Sequence, residues 1–532
     1  MREGEIRARS LKEFLEGAAR VHGEKPLLRF DGQTLSYAEI DARANRIARS
    51  LERLGIGKGD RVATLLGNSP EQFCLWFALA RLGAVWVPLN TSLAPEELAY
   101  SINDSESAAV VVDEAFGDKH ARIKPELKTV KLEIGVGSGA AGLPFAALLE
   151  GTGEPAEYSL RASDVMSIIY TSGTTGLPKG VVLPHFSYVA AGERFRERVA
   201  LRQTDCIFPP MPLYHIAAQH YVMGAVAAGI PCALTRRFSA SRFWAQVREF
   251  EATIFGYLGA MLVMLLKQEP REDDREHPAR LGVGVELWTV AKEQREEFQR
   301  RFAVELQEVY GMTEFGTLMT ATPRGAPREG SVGTPSDYLE LAIVDEEDTP
   351  VPPSREGEIV ARPRLPFTTM LEYYGKPRET LAAWRNLWFH TGDLGHQDRD
   401  SYVYFTGRRA HRIRRRGENI SAFEVEGVIN AHANVLESAV VGVPSELGDE
   451  DVKAYVRLRP AAELPPEELV RWCEARLAPF KVPRYVEFVE SLPRTDATQR
   501  INRQALKHLG VGQAWDAKAA APEASVRRGE RP

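Results

Sequence analysis

The stretch from Tyr170 to Gly180, which reads YTSGTTGLPKG, has the residue types of a phosphate-binding loop. Its glycines leave backbone amides open beside several hydroxyls, and such a loop can wrap a phosphate. The candidate binding residues are Thr171, Ser172, Gly173, Thr174, Thr175, Gly176 and Lys179. The alternative is a flexible linker, but the apolar runs Val165–Tyr170 and Gly180–Leu183 on either side favour a loop between two strands. The loop lacks the spacing GxxxxGK[ST], so it predicts another kind of nucleotide site.

A second constellation, YGMTEFG, spans Tyr310 to Gly316 and follows the predicted strand Glu305–Val309. Open α/β sheets bind ligands at the carboxyl ends of their strands. There Thr313 could donate to a phosphate, and Glu314 could hold Mg²⁺, which prefers carboxylate and phosphate oxygens. Tyr310 offers a face for a purine. A plain junction between strand and loop is the alternative for this heptapeptide taken alone.

Two further positions have both an ordinary and a functional interpretation. Asp393, in WFHTGDLGHQD, is of a type that usually forms an Asx turn, but it could accept two hydrogen bonds from a ribose diol, with Arg408 completing that contact. His215, in PPMPLYHIAAQH, would by residue type alone be a packing histidine or one at a helix N-terminus.

The elements that must position these residues predict an α/β fold. Amphipathic spacing and a capping box indicate helices from Ser10 to His22 and from Ser36 to about Leu54, and strands and helices then alternate as in a parallel sheet covered by helices. Short alternating segments from about residue 330 predict a β subdomain. We therefore expect an N-terminal domain over 1–407 with its β subdomain at 330–407, a small mobile α+β domain over 408–510, and a disordered tail over 511–532.

Composition narrows the classes of protein. The 532 residues are 44% hydrophobic and 26% charged, which is typical of a folded globular chain of at least two domains. A net charge of −6 argues against a nucleic-acid-binding protein. The four cysteines have no CxxC pairing and are expected to be core thiols. The charged N-terminus and the absence of a long apolar run indicate a cytoplasmic protein with no integral membrane segment.

Five segments in order carry a resemblance to a known family. They read YTSGTTGLPKG, YGMTEFG, WFHTGDLG, GRRAHRIRRRGENISAFEVE and FKVPRYVEFVESLPRT. Together they resemble the adenylate-forming (AMP-binding) superfamily over about residues 27–506, and RRRGENIS is most similar to its carnitine-CoA and medium-chain acyl-CoA ligase branch. The resemblance implies ATP-dependent adenylation of an organic acid, followed by transfer of the acyl group to CoA.

The same resemblance assigns roles to individual residues. The loop from Thr171 to Thr175 would hold the β and γ phosphates of ATP, Thr313 the α phosphate and Glu314 the Mg²⁺. Tyr310 would stack on adenine, and Asp393 and Arg408 would hold the ribose. His215 would stand between ATP and the acyl pocket, for which the resemblance indicates residues 213–219, 255–258, 282–284 and the loop after 312. The rings of Phe255 and Tyr257 suggest an apolar or aromatic acid.

The sequence departs from the family pattern in three places. Arg500 stands where the family usually has a lysine that contacts the carboxylate and the α phosphate, and its planar fork is not a point charge. The hinge position is Ala410, followed by His411. The small-residue motif before the adenine pocket is GVGVELW, in which Gly284 keeps the close backbone approach.

These departures leave three hypotheses for the function. The main one is an AMP-forming acyl-CoA ligase, in which Arg414, Arg415 and Arg416 would offer positive charge to the CoA phosphates or would form a solvated basic face. The second is an adenylating enzyme with another acceptor, either an amide ligase or a diazotase-like enzyme that activates nitrite for an aryl amine. The third is an ATP-binding pseudoenzyme.

Overall fold

The computed structural model describes residues 8–152, 158–171, 178–409, 412–415, 418–445, 450–494 and 501–520. The chain divides into two compact units. The N-terminal unit comprises Met1–Thr391 and His396–Tyr404, and the C-terminal unit comprises Gly392–Gly395 and Phe405–Pro532. This division differs from the predicted boundary at 407/408 chiefly because it assigns Gly392–Gly395 to the second unit.

The helices follow the apolar periodicity of the sequence and begin at recognisable caps. Ser10 and Ser36 each form a capping box, and Ser69 caps a helix that starts with Pro70. The helices are α1 (Leu11–His22), α2 (Tyr37–Arg53), α3 (Pro70–Leu82), α4 (Pro95–Asp104), α5 (Gly117–Ile123), α6 (His185–Val199), α7 (Ile216–Ala228), α8 (Phe243–Glu249), α9 (Gly259–Leu266), α10 (Lys292–Phe302), α11 (Pro377–Ala383), α12 (Ala422–Asn430), α13 (Pro466–Glu474), α14 (Arg503–His508) and α15 (Ala517–Ala520).

The strands are short and mostly buried, as their apolar sequences require. They are β1 (Pro26–Phe30), β2 (Gln33–Ser36), β3 (Arg61–Leu65), β4 (Val85–Pro88), β5 (Ala109–Asp113), β6 (Leu132–Val136), β7 (Leu143–Pro144), β8 (Val165–Thr171), β9 (Lys179–Pro184), β10 (Ile207–Phe208), β11 (Cys232–Leu234), β12 (Ile254–Leu258), β13 (Leu281–Val285), β14 (Glu305–Tyr310), β15 (Thr320–Ala321), β16 (Thr334–Pro335), β17 (Leu339–Val344), β18 (Gly357–Pro363), β19 (Trp384–Arg385), β20 (Trp388–Gln397), β21 (Val403–Arg408), β22 (Arg412–Arg415), β23 (Glu418–Ser421), β24 (Val435–Pro444), β25 (Glu450–Leu458), β26 (Tyr485–Phe488) and β27 (Trp515–Asp516).

Two largely parallel sheets form the centre of the N-terminal unit. The first has the strand order β7-β6-β5-β3-β4-β8-β9, and its β8–β9 pair is antiparallel. The second has the order β16-β15-β14-β13-β12-β10-β11-β1-β2, with β12, β13 and β14 parallel. The predicted β subdomain corresponds to the antiparallel pairs of β17 with β18 and of β19 with β20. The predicted α/β class with parallel sheets and an added β region is confirmed.

The C-terminal unit has its own hydrophobic core. Strands β24, β25, β26 and β27 form a sheet in that order, and α12 and α13 bury residues such as Val425, Ile429 and Leu469 against it. A separate α+β module was predicted for this part of the chain, and the fold of the unit agrees with it. The segment 511–520 includes β27 and α15, and the remainder of the predicted disordered tail lies outside the described residues.

Two predictions from composition concern the whole chain. The four cysteines are all buried and unpaired, which confirms them as core thiols. Among the helices that the structure describes, none combines the length and the apolar character needed to cross a bilayer.

Candidate active site

The predicted phosphate loop is carried by the β8–β9 hairpin. Thr171 stands opposite Lys179, and Tyr170 opposite Gly180, at the ends of the two strands. The strands form because each is a short apolar run, and Gly180 is required there since a Cβ would lie 2.7 Å from Cγ2 of Ile168. The predicted binding residues Ser172, Gly173, Thr174, Thr175 and Gly176 lie outside the described residues.

Tyr170 fixes the end of this hairpin to a neighbouring helix. Its hydroxyl donates to Oδ2 of Asp104 at 2.8 Å, and burial together with the Asp104 carboxylate raises the pKa of Tyr170. Lys376 also lies near Asp104, with 3.6 Å between Nζ and Oδ1. The base of the predicted loop is therefore anchored by Asp104 of α4, which Lys376, the N-cap residue of α11, also approaches.

The YGMTEFG segment leaves the carboxyl end of β14 as the sequence predicts. Residues Thr313–Phe315 form one turn of 3-10 helix, which ends at Gly316 with a φ of +58°. The amide of Met370 donates to the backbone oxygen of Glu314 at 2.7 Å. The side chain of Glu314 is largely buried, so its carboxylate stands in a position fixed by the protein and not in bulk water.

Tyr373 joins the hairpin to this segment, and no motif in the sequence indicated it. Its hydroxyl donates to Oε1 of Glu314 at 2.9 Å, and Nζ of Lys179 lies 5.0 Å from the centroid of its ring. Burial and the Glu314 carboxylate raise the pKa of Tyr373, so this hydroxyl keeps its proton. Two predicted site residues, Lys179 and Glu314, are thus brought together through a tyrosine.

A second residue absent from the sequence-based prediction is His220. It lies in α7, and its Nε2 is 3.0 Å from the backbone oxygen of Gly316. Burial lowers the pKa of His220 to about 4, and His215 adds to this effect. His215 itself is the N-cap residue of α7, one turn before His220. The contact of His220 with Gly316 places α7 beside the YGMTEFG segment, and a histidine in a largely apolar helix was the available signal.

The two residues that were predicted to lie beside adenine are on adjacent parallel strands. Tyr310 ends β14, and Gly284 pairs with Glu308 of that strand. A Cβ at Gly284 would lie 2.2 Å from the backbone oxygen of Tyr257, so the glycine is already required by packing between β12 and β13. This packing requirement is independent of any contact with adenine.

Glu308 is a buried carboxyl on β14. Its Oε2 accepts from the amide of Leu287 at 2.9 Å and from the hydroxyl of Tyr257 at 3.4 Å. Among the described residues, its Oε1 has no hydrogen-bond partner. Burial raises the pKa of Glu308 well above its usual value, so the residue carries its proton in the folded protein.

The rings of Phe255 and Tyr257 belong to the hydrophobic core. Both are fully buried, in a cluster with Trp244 and Phe298. The Tyr257 hydroxyl donates to the backbone oxygen of Gln307 at 3.1 Å. Both rings therefore contribute to core packing, and the apolar or aromatic acid that they suggested stays a prediction.

The C-terminal unit contains the two residues predicted to hold ribose. Nε of Arg408 lies 3.2 Å from Oδ1 of Asp393. Of the predicted CoA-binding arginines, Arg414 is exposed, whereas Arg415 pairs with Asp451 at 2.9 Å and donates to two backbone oxygens. The basic segment thus contains at least one arginine with a structural role.

Arg500, Ala410, His411 and Arg416 lie outside the described residues. Their predicted roles therefore stay predictions.

The residues of the N-terminal unit fit a magnesium ion that is bound with its nucleotide. No group of three or more His, Cys, Asp or Glu side chains in the described part of the chain could form a complete protein cage. Glu314 offers one carboxylate, and Mg²⁺ usually takes one or two carboxylates together with substrate phosphates and water.

Comparison with known proteins identifies the family. The model of the AMP-binding enzyme family matches residues 15–374, and that of the AMP-binding enzyme C-terminal domain matches residues 424–498. The chain belongs to the AMP-binding enzyme family. A crotonobetaine/carnitine–CoA ligase of Salmonella agona (strain SL483) is 33% identical over 517 residues, which cover 94% of this chain and 99% of that protein.

Solved structures agree with this assignment. An anthranilate CoA ligase in complex with anthranoyl-AMP has a TM-score of 0.86 and 26% identity, and the match covers 94% of this chain and 96% of that one. An O-succinylbenzoate coenzyme A synthetase from Bacillus subtilis, in complex with ATP and magnesium ion, has a TM-score of 0.81 and 27% identity, covering 93% and 99%. The chain is an AMP-forming acid–thiol ligase, and the predicted family, fold and reaction class are confirmed.

Proposed function

We propose that the chain uses MgATP to activate a small organic carboxylic acid and passes the acyl group to the thiol of CoA. The observation that carries the nucleotide half is the contact of Tyr373 with both Glu314 and Lys179, which holds a carboxylate and an ammonium group beside the ends of β8 and β9. The relatives named above, each a CoA ligase or synthetase, support CoA as the acceptor.

The reaction has two steps, and each step transfers one group and releases one leaving group. A carboxylate oxygen of the acid attacks the α phosphorus of ATP, the bond to the β phosphate breaks, and pyrophosphate leaves. The CoA thiolate then attacks the acyl carbon, and AMP leaves as the thioester forms. Mg²⁺ supplies positive charge to the phosphates when bound, and the protein contributes position and electrostatic stabilisation more than proton transfer.

Six of the candidate residues have a defined task in this scheme. Glu314 binds the Mg²⁺ that accompanies the nucleotide, and Lys179 provides positive charge near the loop that follows β8. Thr313 donates to the α phosphate. Asp393 and Arg408 hold the ribose diol, and Arg500 contacts the carboxylate and the α phosphate. A cytoplasmic location is part of the same proposal.

The identity of the acid is tested with a panel based on the relatives. Purified protein is incubated with MgATP and carnitine, crotonobetaine, anthranilate, O-succinylbenzoate or medium-chain fatty acids, with and without CoA. We expect at least one acid to give pyrophosphate, AMP and an acyl-CoA in equal amounts. The variant Glu314→Gln is the control and should lower pyrophosphate release at least 100-fold, because it removes the charged metal ligand.

The other two hypotheses predict different results in the same assay. An enzyme with another acceptor would release pyrophosphate without forming acyl-CoA. For an amide ligase, hydroxylamine would replace the thiol. For a diazotase-like enzyme, nitrite would replace the acid and an aryl amine would replace the thiol. A pseudoenzyme would bind ATP and release no pyrophosphate with any acid. Either result would contradict the proposed transfer to CoA.

A further inference from the structure

Tyr373 contacts two residues that the nucleotide site is predicted to use, yet it belongs to none of the motifs that defined the site. Its hydroxyl donates to Oε1 of Glu314 at 2.9 Å, and its ring faces Nζ of Lys179 at 5.0 Å from the centroid. The side chain is 7% exposed. The tyrosine thus stands between the carboxylate and the ammonium group as a buried link.

The backbone around Tyr373 is fixed along its whole length. Residues 370–374 lie beside β9, where Tyr373 forms a bridge with Val181, the amide of Leu371 donates to Val182 at 2.9 Å, and the amide of Tyr374 donates to Gly180 at 2.8 Å. The amide of Tyr373 itself donates to Oγ1 of Thr380 at 3.0 Å. The hydroxyl therefore reaches Glu314 from a backbone that has little freedom to move.

The same segment holds Glu314 at two points. The amide of Met370 donates to the backbone oxygen of Glu314 at 2.7 Å, and the Tyr373 hydroxyl donates to its side chain. A carboxylate that binds a metal is normally held by such a donor, which fixes its orientation and leaves its remaining lone pairs to the ion. A glutamate without that donor would divide its population among several side-chain conformers and would lose part of its affinity for the metal.

We propose that Tyr373 is a positioning residue whose hydroxyl fixes the Glu314 carboxylate in the orientation that binds the Mg²⁺ of MgATP. The assignment rests on the proposed function, since it concerns the metal of the nucleotide substrate. Tyr373 acts through Glu314 and takes no direct part in the transfer of the adenylyl group. Its loss should therefore affect magnesium-dependent binding and leave the affinity for magnesium-free ATP unchanged.

Adjacent tyrosines provide a matched pair of variants. Tyr373→Phe removes the hydroxyl that reaches Glu314 and retains the ring beside Lys179. Tyr374→Phe removes the neighbouring hydroxyl, which donates to Oε2 of Glu106 at 2.9 Å. The affinity of the full-length chain for ATP is measured by calorimetry, once with Mg²⁺ and once with EDTA, and thermal unfolding shows whether each variant is folded.

Wild-type protein should bind ATP more tightly with Mg²⁺ than with EDTA. Tyr373→Phe should bind MgATP about 10-fold more weakly, the effect of losing a hydrogen bond to a charged acceptor, with its affinity in EDTA unchanged. Tyr374→Phe should match the wild type in both conditions. In a Glu314→Gln background, Tyr373→Phe should have no further effect, because the residue through which it acts has lost its charge.

The outcomes separate this assignment from the proposed function. A wild-type protein whose ATP affinity does not depend on Mg²⁺ would overturn the proposed function and the assignment with it. A wild type with normal magnesium dependence and an unaffected Tyr373→Phe would overturn the positioning role alone. An equal loss of affinity with Mg²⁺ and with EDTA would also overturn it, since it would reveal a general structural defect.

Discussion

Arg408 and Asp393 form an ion pair in the C-terminal unit, with Nε of the arginine 3.2 Å from Oδ1 of the aspartate. The aspartate side chain is almost completely buried, whereas the arginine side chain is 44% exposed. The backbone before Asp393 turns at Gly392, whose φ is +70°. Two residues separated by 15 positions in the sequence are therefore neighbours, as their shared predicted role at the ribose requires.

The ribose role of Asp393 predicts a specific defect in ATP use. Asp393→Asn replaces the carboxylate that would accept hydrogen bonds from both hydroxyls of the ribose diol. We therefore expect the KM for ATP in pyrophosphate exchange to rise about 10-fold. The control is Asp400→Asn, which alters an exposed carboxylate paired with Arg328. Equal KM values in both variants would contradict the proposed role.

Burial of His220 predicts a dependence of stability on pH. Its pKa in the folded protein is about 4, below the reference value of 6.5. The unfolded chain therefore takes up the proton first, and the free energy of unfolding should fall as the pH decreases from 6.5 to 4, by up to about 1.4 kcal/mol per pH unit.

The variant His220→Gln should remove this contribution, because glutamine can donate to the Gly316 carbonyl and does not titrate. Urea denaturation at pH 7, 6 and 5 measures the slope in both proteins. His185, whose pKa is also lowered by burial to about 4, would keep part of the slope in the variant. An identical slope before and after the substitution would show that His220 is not protonated on unfolding.

The sequence predicted helices and strands well where a capping residue or a short apolar run determines the element locally. The capping boxes at Ser10 and Ser36 marked the starts of α1 and α2, and the apolar runs around the phosphate loop became β8 and β9. Of the two ordinary interpretations of His215, the position at a helix N-terminus is the one found, since His215 is the N-cap residue of α7.

The contacts missing from the prediction are those between distant parts of the chain. Tyr373 reaches Glu314 because residues 370–374 lie beside β9, a pairing over about 190 residues that local periodicity does not encode. The same limit explains why the burial of Phe255 and Tyr257 in the core was not predicted. They lie in β12, and the face of this strand that carries them is determined by packing against α8 and α10.

Burial of Glu308 predicts that the free energy of unfolding changes with pH in the direction opposite to the change predicted for His220. The raised pKa means that the folded state keeps a proton that the unfolded chain releases above its ordinary pKa of 4.5, so wild-type stability should fall as the pH rises. Glu308→Gln should match the wild type near pH 4, and its advantage in unfolding free energy should grow as the pH rises toward 8, by up to about 1.4 kcal/mol per pH unit. Glu305→Gln, at an exposed position of the same strand, is the control, and urea denaturation is the measurement.

A buried ion pair predicts how strongly α14 is held in the C-terminal unit. Arg503 donates to both carboxylate oxygens of Glu426, at 3.1 and 2.6 Å, and Oε1 also accepts from the amide of Val440 at 2.7 Å. Burial raises the pKa of Glu426, and Arg503 opposes that effect. Removing the arginine would leave the carboxyl buried without its charged partner.

Arg503→Met should therefore destabilise the unit by about 3 kcal/mol, a typical cost of breaking one side of a buried pair. Lys507→Met in the same helix is the matched control, since its ion pair with Glu450 is half-exposed and should contribute less than about 1 kcal/mol. Hydrogen exchange over α14 and β24 measures the two effects separately from the N-terminal unit. Equal protection in the two variants would show that Arg503 contributes no more than a surface residue.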